Sequence, residues 1–144
     1  MLEIKFRAWD NVENKMYYVG DEDNIHFYFN GLVLQADKFT NIKIDTGEDY
    51  EDDVYCERLY HLIYMQFVGL KDKNGKEIYV GDIVELGTKE VFIVTWHEYK
   101  QEFTFKTMKG NYFPETYRGA TRNDCYGWLV VGNIYENHEL LEEN

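Results

Sequence analysis

The chain has 144 residues, 44% of them hydrophobic and 17% aromatic, with 27 acidic side chains against 15 lysines and arginines for a net charge of −12. That length suits one domain or two small lobes sharing a core, and the apolar content excludes global disorder. The acidity disfavours non-specific tracking of nucleic-acid phosphates, which takes clustered basic side chains, and fits a self-repelling protein or one that meets a basic partner.

The 13 Tyr and 9 Phe point to a mainly β protein, since aromatic side chains suit a half-buried pleated surface. Residues 2–9 alternate, with Leu2, Ile4, Phe6 and Ala8 on the apolar face and Glu3, Lys5 and Arg7 on the polar one, which predicts a strand. Residues 10–14 carry turn chemistry, and residues 15–19 return as the second arm of a hairpin. After a polar loop at 20–24, strands are expected at 25–29 and 32–34 around Asn30-Gly31, and a shorter one at 41–45. Residues 46–53 read as an acidic, mobile loop with little to bury.

Residues 54–67 are ambiguous between helix and strand. Leu59, Leu62, Ile63 and Gln66 fall at helical spacing, while Tyr60, Tyr64, Phe67 and Val68 favour strand. The reading adopted is a strand over 63–68 after a short helical turn. Asn74-Gly75 is the strongest hairpin signal, because both residues tolerate the positive φ of a tight turn. Strands follow at 83–86, 91–96, 102–107 and 128–131, with an irregular crossing at 109–124 and a terminal turn or short helix near 137–141. Short strands, tight turns and a late return strand suggest a small barrel. The expected organisation is an N-terminal β-rich region over 1–68 and an SH3-like barrel over 69–144, packed as one unit, with Trp9, Trp96 and Trp128 in or near the core.

Three stretches together resemble the YopX family of phage and prophage proteins. They are residues 5–10 with Lys15-Met16; Gln66 with residues 69–79 and 81–84; and residues 131–137 with residues 139–141. Phe67-Val68 and His138 depart from the family's usual residues. The resemblance implies a phage-encoded, mostly β protein in a bacterial host and leaves room for an oligomer. It implies no reaction and transfers no catalytic residue.

The residues themselves nominate no catalytic, cofactor or metal site, so the chain reads as non-enzymatic. His26, His61, His97 and His138 lack metal-ligand spacing, and His97-Glu98 is the one base-and-orienter candidate. Cys56 and Cys125 lack the Cys-x-x-Cys spacing and read as reduced thiols in the cytoplasm. There is no signal-peptide pattern and no apolar run of the ~20 residues that span a bilayer, so no membrane role is expected.

Two surfaces remain. The loop with Lys71, Lys73, Asn74 and Lys76 is the most basic local patch and a candidate contact loop, for nucleic acid or an acidic partner. Glu48, Asp49, Glu51, Asp52 and Asp53 form a candidate acidic surface; they lack the EF-hand pattern, and a solvated face is their plain reading. The expected activity is contact with a protein partner, whether a second copy in a homo-oligomer or a host protein. Mimicry of DNA toward a basic host protein is the sharper alternative, and nucleic-acid binding through the lysine loop is the third.

Overall fold

The computed structural model describes residues 4–86, 90–110 and 127–142. The protein is mainly β, with antiparallel sheets and a single helical turn, α1 (Glu139–Glu142), among those residues. Its contacts divide into two compact units, one of residues 8–64 and one of residues 1–7 with 65–144.

In the unit of residues 8–64, the end of β1 (Phe6–Asp10) pairs with β2 (Lys15–Tyr18). A three-stranded sheet follows in the order β3 (Ile25–Asn30), β4 (Val33–Asp45), β5 (Tyr50–Arg58). The β3–β4 link is a two-residue loop, with Asn30 opposite Val33 and Gly31 at φ +63°, the Gly-first pattern of a primed hairpin turn. Ala8, Tyr17, Ile25, Ala36, Leu59 and Leu62 make the core, with Phe27 and Tyr64 packed against it.

The expected short strand at 41–45 is the end of a 13-residue strand, and half of the expected acidic loop is strand as well: the turn is confined to 46–49 and β5 begins at Tyr50. Both faces of this ribbon stay in water, so its carboxylates cost no desolvation and backbone pairing decides the conformation. The helical turn expected before residue 63 is also absent. β5 runs to Arg58, and the apolar spacing of Leu59 and Leu62 reflects two anchors of a bend that both enter the core.

In the other unit, β6 (Ile63–Lys71) forms a hairpin with β7 (Glu77–Tyr79), and the Phe67 amide donates to the Lys5 carbonyl at 2.9 Å. A curled, half-barrel antiparallel sheet then runs in the order β10 (Glu102–Lys106), β9 (Val91–His97), β8 (Asp82–Leu86), β11 (Trp128–Asn133), with β11 the expected return strand. Ile78, Val84, Phe92, Val94, Phe105, Trp128 and Val130 fill its core. Trp128 is fully buried, stacked on Phe105 at 4.2 Å between centroids with Phe92 edge-on at 5.9 Å. Trp9 is buried too, whereas Trp96 is 40% exposed, packed edge-on against Phe103. Most of the expected crossing at 109–124, and Cys125, lie outside the described residues. Among the described residues no helix is long and apolar enough to cross a membrane.

Arg7 corrects the alternation expected for the first strand. It sits on the supposed polar face yet is 2% exposed, its Nη1 2.8 Å from Asp82 Oδ1, its Nη2 donating to the Val80 carbonyl at 3.3 Å and its guanidinium over the Tyr79 ring.

Candidate interaction surface on the β4–β5 arm

Beyond the core, β4 and β5 continue as a two-stranded arm. Every residue from Phe39 to Arg58 is exposed. The register is continuous from Asp37↔Arg58 to Asp45↔Tyr50. The tip is ordered by local bonds: the Thr46 amide and hydroxyl both donate to the Asp49 carbonyl at 2.9 Å, and the Gly47 amide donates to Asp45 Oδ1 at 2.8 Å. At the root, Arg58 Nε donates to Asp37 Oδ1 at 3.2 Å and Nη2 to the Tyr28 hydroxyl at 2.8 Å, with Tyr60 beside the guanidinium.

All five residues of the predicted acidic surface lie on this arm and are exposed: Glu48 and Asp49 at the tip, Glu51, Asp52 and Asp53 along β5. Over 39–58 seven carboxylates face only Lys43 and Arg58, a net charge of −5 out of the chain's −12. Cross-strand pairing spreads them over both faces. Phe39, Lys43 and Asp45 share a face with Cys56, Val54, Asp52 and Tyr50; Ile42 and Ile44 share the other with Tyr55, Asp53 and Glu51. Each face therefore combines exposed apolar side chains with carboxylates, Phe39, Val54 and Tyr50 on one and Ile42, Ile44 and Tyr55 on the other. The Lys43–Asp52 pair at 3.8 Å is largely solvated and adds little. A two-stranded ribbon is marginal alone in water, so burying these apolar groups against a partner would stabilise it.

The predicted lysine loop is a different kind of object. Lys71, Lys73, Asn74 and Lys76 are exposed, but Asp72 between them is buried. Asp72 Oδ1 accepts the amides of Asn74 and Lys76, both at 2.9 Å, and Oδ2 accepts that of Val130 at 3.0 Å. The turn closes with Gly75 N–H to the Asp72 carbonyl at 3.0 Å and Asp72 N–H to the Lys76 carbonyl at 2.7 Å. Of the Asn-Gly pair only Gly75 is left-handed, at φ +83°. The turn is thus the three-residue type with a glycine bulge, so the positive φ expected to suit both residues is taken by Gly75 alone, and Asp72 supplies the acceptors that organise it. Burial raises the Asp72 pKa, but the three amides and nearby Lys76 outweigh it and hold the carboxyl below its usual range.

Two further buried groups work in the same way. Asp10 Oδ1 accepts the amides of Val12 and Glu13 at 2.9 and 3.0 Å and contacts His61 Nε2 at 2.7 Å, while Oδ2 accepts the Tyr17 hydroxyl at 3.4 Å. Burial works against its charge, yet these bonds hold the Asp10 carboxyl low; Tyr17 is pushed up to about 12, by burial first and then by Asp10. Asn133 Oδ1 accepts the amides of Tyr135 and Glu136, and its own amide donates to Asn137 Oδ1 at 3.1 Å.

The sequence reading missed Arg7, Asp10 and His61. An aspartate two to four residues ahead of a turn's amides is the local signal for Asp10 and Asp72; nothing local marks Arg7 or His61. The His97-Glu98 candidate resolves into a turn, with His97 Nδ1 accepting the Lys100 amide at 3.2 Å. Among the described residues no cluster of three His, Cys, Asp or Glu side chains is arranged to hold a metal ion.

A family model described as YopX protein matches residues 5–142. A crystal structure of protein EF1440 from Enterococcus faecalis is similar over 98% of this chain and 99% of that one, at 25% identity and a TM-score of 0.60. No curated protein matches.

Proposed function

The chain belongs to the YopX family, and we propose that it is a non-catalytic interaction module whose β4–β5 arm engages a basic surface of a partner protein. The observation that carries this reading is the arm itself: twenty exposed residues with a net charge of −5 and apolar side chains on both faces. Such a surface supplies electrostatic steering and apolar contact together. A partner evolved to hold a polyanion, such as a DNA-binding protein, presents the complementary charge.

The buried carboxylates support a non-catalytic role, since Asp10 and Asp72 spend their lone pairs on backbone amides of turns. The setting in this reading is the cytoplasm of a bacterium carrying the phage or prophage. The free, exposed thiol of Cys56 suits a reducing compartment. Self-association through the same arm would bring like charges together, so the heterologous partner is preferred.

The test is capture on immobilised protein from nuclease-treated bacterial lysate at low and high salt, with a variant carrying Glu51→Gln, Asp52→Asn and Asp53→Asn alongside. The reading expects a basic protein retained at low salt and lost with the variant. Retention that ignores those three substitutions overturns it. The second reading, nucleic-acid binding, rests on the three exposed lysines of a turn held rigid by Asp72. It expects a low-salt mobility shift abolished by Lys71→Glu, Lys73→Glu and Lys76→Glu, and fails if no nucleic acid shifts.

A further inference from the structure

The β4–β5 ladder shows which backbone groups of β5 face outward. The Leu59 amide donates to the Ala36 carbonyl at 2.9 Å, and the Thr46 amide to the Asp49 carbonyl at 2.9 Å. Both bonds fit the continuous register of the pair, so the odd-numbered residues from 49 to 59 point their amides and carbonyls at β4. Tyr50, Asp52, Val54, Cys56 and Arg58 therefore turn theirs away from β4. Among the described residues β5 is the last strand of its sheet, and all nine of its residues are exposed.

Two independent contacts agree with this parity. The Tyr50 amide is met by Asp49 Oδ1 and the Val54 amide by Asp53 Oδ1, each at 2.8 Å. Each carboxylate folds onto the amide next in the chain, where it stands in for a missing strand. The outward edge is about 30 Å long at the usual rise per residue and contains no proline. From Tyr50 to Glu57 its guards are charges of one sign, since Arg58 at the strand's end is paired with Asp37: Glu51, Asp52, Asp53 and Glu57 repel an acidic strand and attract a basic one.

We propose that the free edge of β5 accepts an extended lysine- or arginine-rich segment of a partner protein as an added β-strand. The incoming carbonyls would take the outward amides, displacing Asp49 and Asp53, whose carboxylates are then released to pair with the segment's basic side chains. Exposed Tyr50, Val54 and Tyr55 offer apolar contact for the side chains between them. This inference rests on the acidic arm being the binding element and adds how it binds.

The probe is a ten-residue synthetic peptide alternating lysine with valine and threonine, added to the full chain at low salt while amide hydrogen exchange is followed residue by residue. Two further peptides carry N-methyl groups on one or the other alternating set of backbone nitrogens. Strand addition expects the outward amides of Asp52, Val54 and Cys56 to slow at least tenfold on binding, and one methylated peptide to lose at least tenfold in affinity while the other keeps it. Failure of the parent peptide to bind overturns strand addition. Binding lost in the Glu51→Gln, Asp52→Asn, Asp53→Asn variant, but with unprotected edge amides and equal affinities for both methylated peptides, overturns strand addition and leaves the acidic arm standing. Binding indifferent to that variant overturns the acidic-arm reading itself. Edge protection that rises with protein concentration in the absence of peptide identifies a second copy as the occupant and overturns the basic partner.

Discussion

Arg7 and Asp82 form a buried ion pair, Nη1 to Oδ1 2.8 Å, with both side chains 2% exposed. The pair ties the first family stretch to the second, and Asp82 Oδ2 also accepts the Tyr79 amide at 2.8 Å. Burial raises the Asp82 pKa against the pull of Arg7 and of that amide. Removing one partner leaves the other charge buried without compensation. Asp82→Asn is expected to cost about 3–5 kcal/mol in urea unfolding. Adding Arg7→Met should recover part of that loss, because no buried charge then remains. A double variant as unstable as the sum of the singles would count against the pairing.

Asp72 is the acceptor around which the lysine turn is built. Asp72→Ala strands the amides of Asn74, Lys76 and Val130, and is expected to cost about 2–4 kcal/mol by the loss of hydrogen bonds to a charged group. Asp72→Asn keeps an acceptor and should cost less. Equal unfolding midpoints for the two variants would show that charge, and not acceptor geometry, holds the turn.

Acid should unfold this protein through the same groups. Asp10 and Asp72 have folded pKa values below the ordinary carboxylate value. Their contribution is complete above the unfolded pKa of ~3.9 and is lost as the pH falls through and below it. Asp82 is shifted the other way and adds nothing to this lability. Urea midpoints should be nearly level from about pH 7 to 5 and then drop steeply. The Asp72→Asn variant should show a shallower drop, and a drop of unchanged depth would remove Asp72 from the account.

Gly132 has no room for a side chain. A Cβ there would lie 2.5 Å from Asn137 Oδ1 and 2.8 Å from Asn137 Cβ. Gly132→Ala is expected to cost about 1–3 kcal/mol, as overpacking does. Combined with Asn137→Gly, which removes the obstruction, the two changes should be less than additive. Strict additivity in thermal unfolding would mean the two positions do not meet.

The arm behaves oppositely in this respect. Glu51, Asp52 and Asp53 are exposed and, among the described residues, make no long-range ion pair beyond the weak Lys43 contact. Neutralising all three should leave the midpoint of unfolding within about 0.5 kcal/mol, or raise it slightly by relieving repulsion. A large destabilisation would mean that these charges support the fold and would weaken their assignment to binding.

Much of this architecture was readable along the chain. Turn residues at 10–14, 30–31 and 74–75 and the apolar runs at 83–86, 91–96 and 128–131 mark strands that the fold contains, since pleat alternation and turn conformation are local properties. The acidic stretch at 46–53 misled because composition reports solvation and not backbone pairing. It is partly strand, since β4 opposite it supplies the ladder.

The sequence by itself determined the β class, the position of most turns and the excess of negative charge, all of which follow from short-range sterics and from counting. Only the tertiary structure decided which polar side chains are buried. Arg7, Asp10, Asp72, Asp82 and Asn133 look no different from solvated residues in a linear reading. A buried charge survives only where donors and acceptors converge on it, and for Asp72 one of those donors is the amide of Val130, 58 residues away.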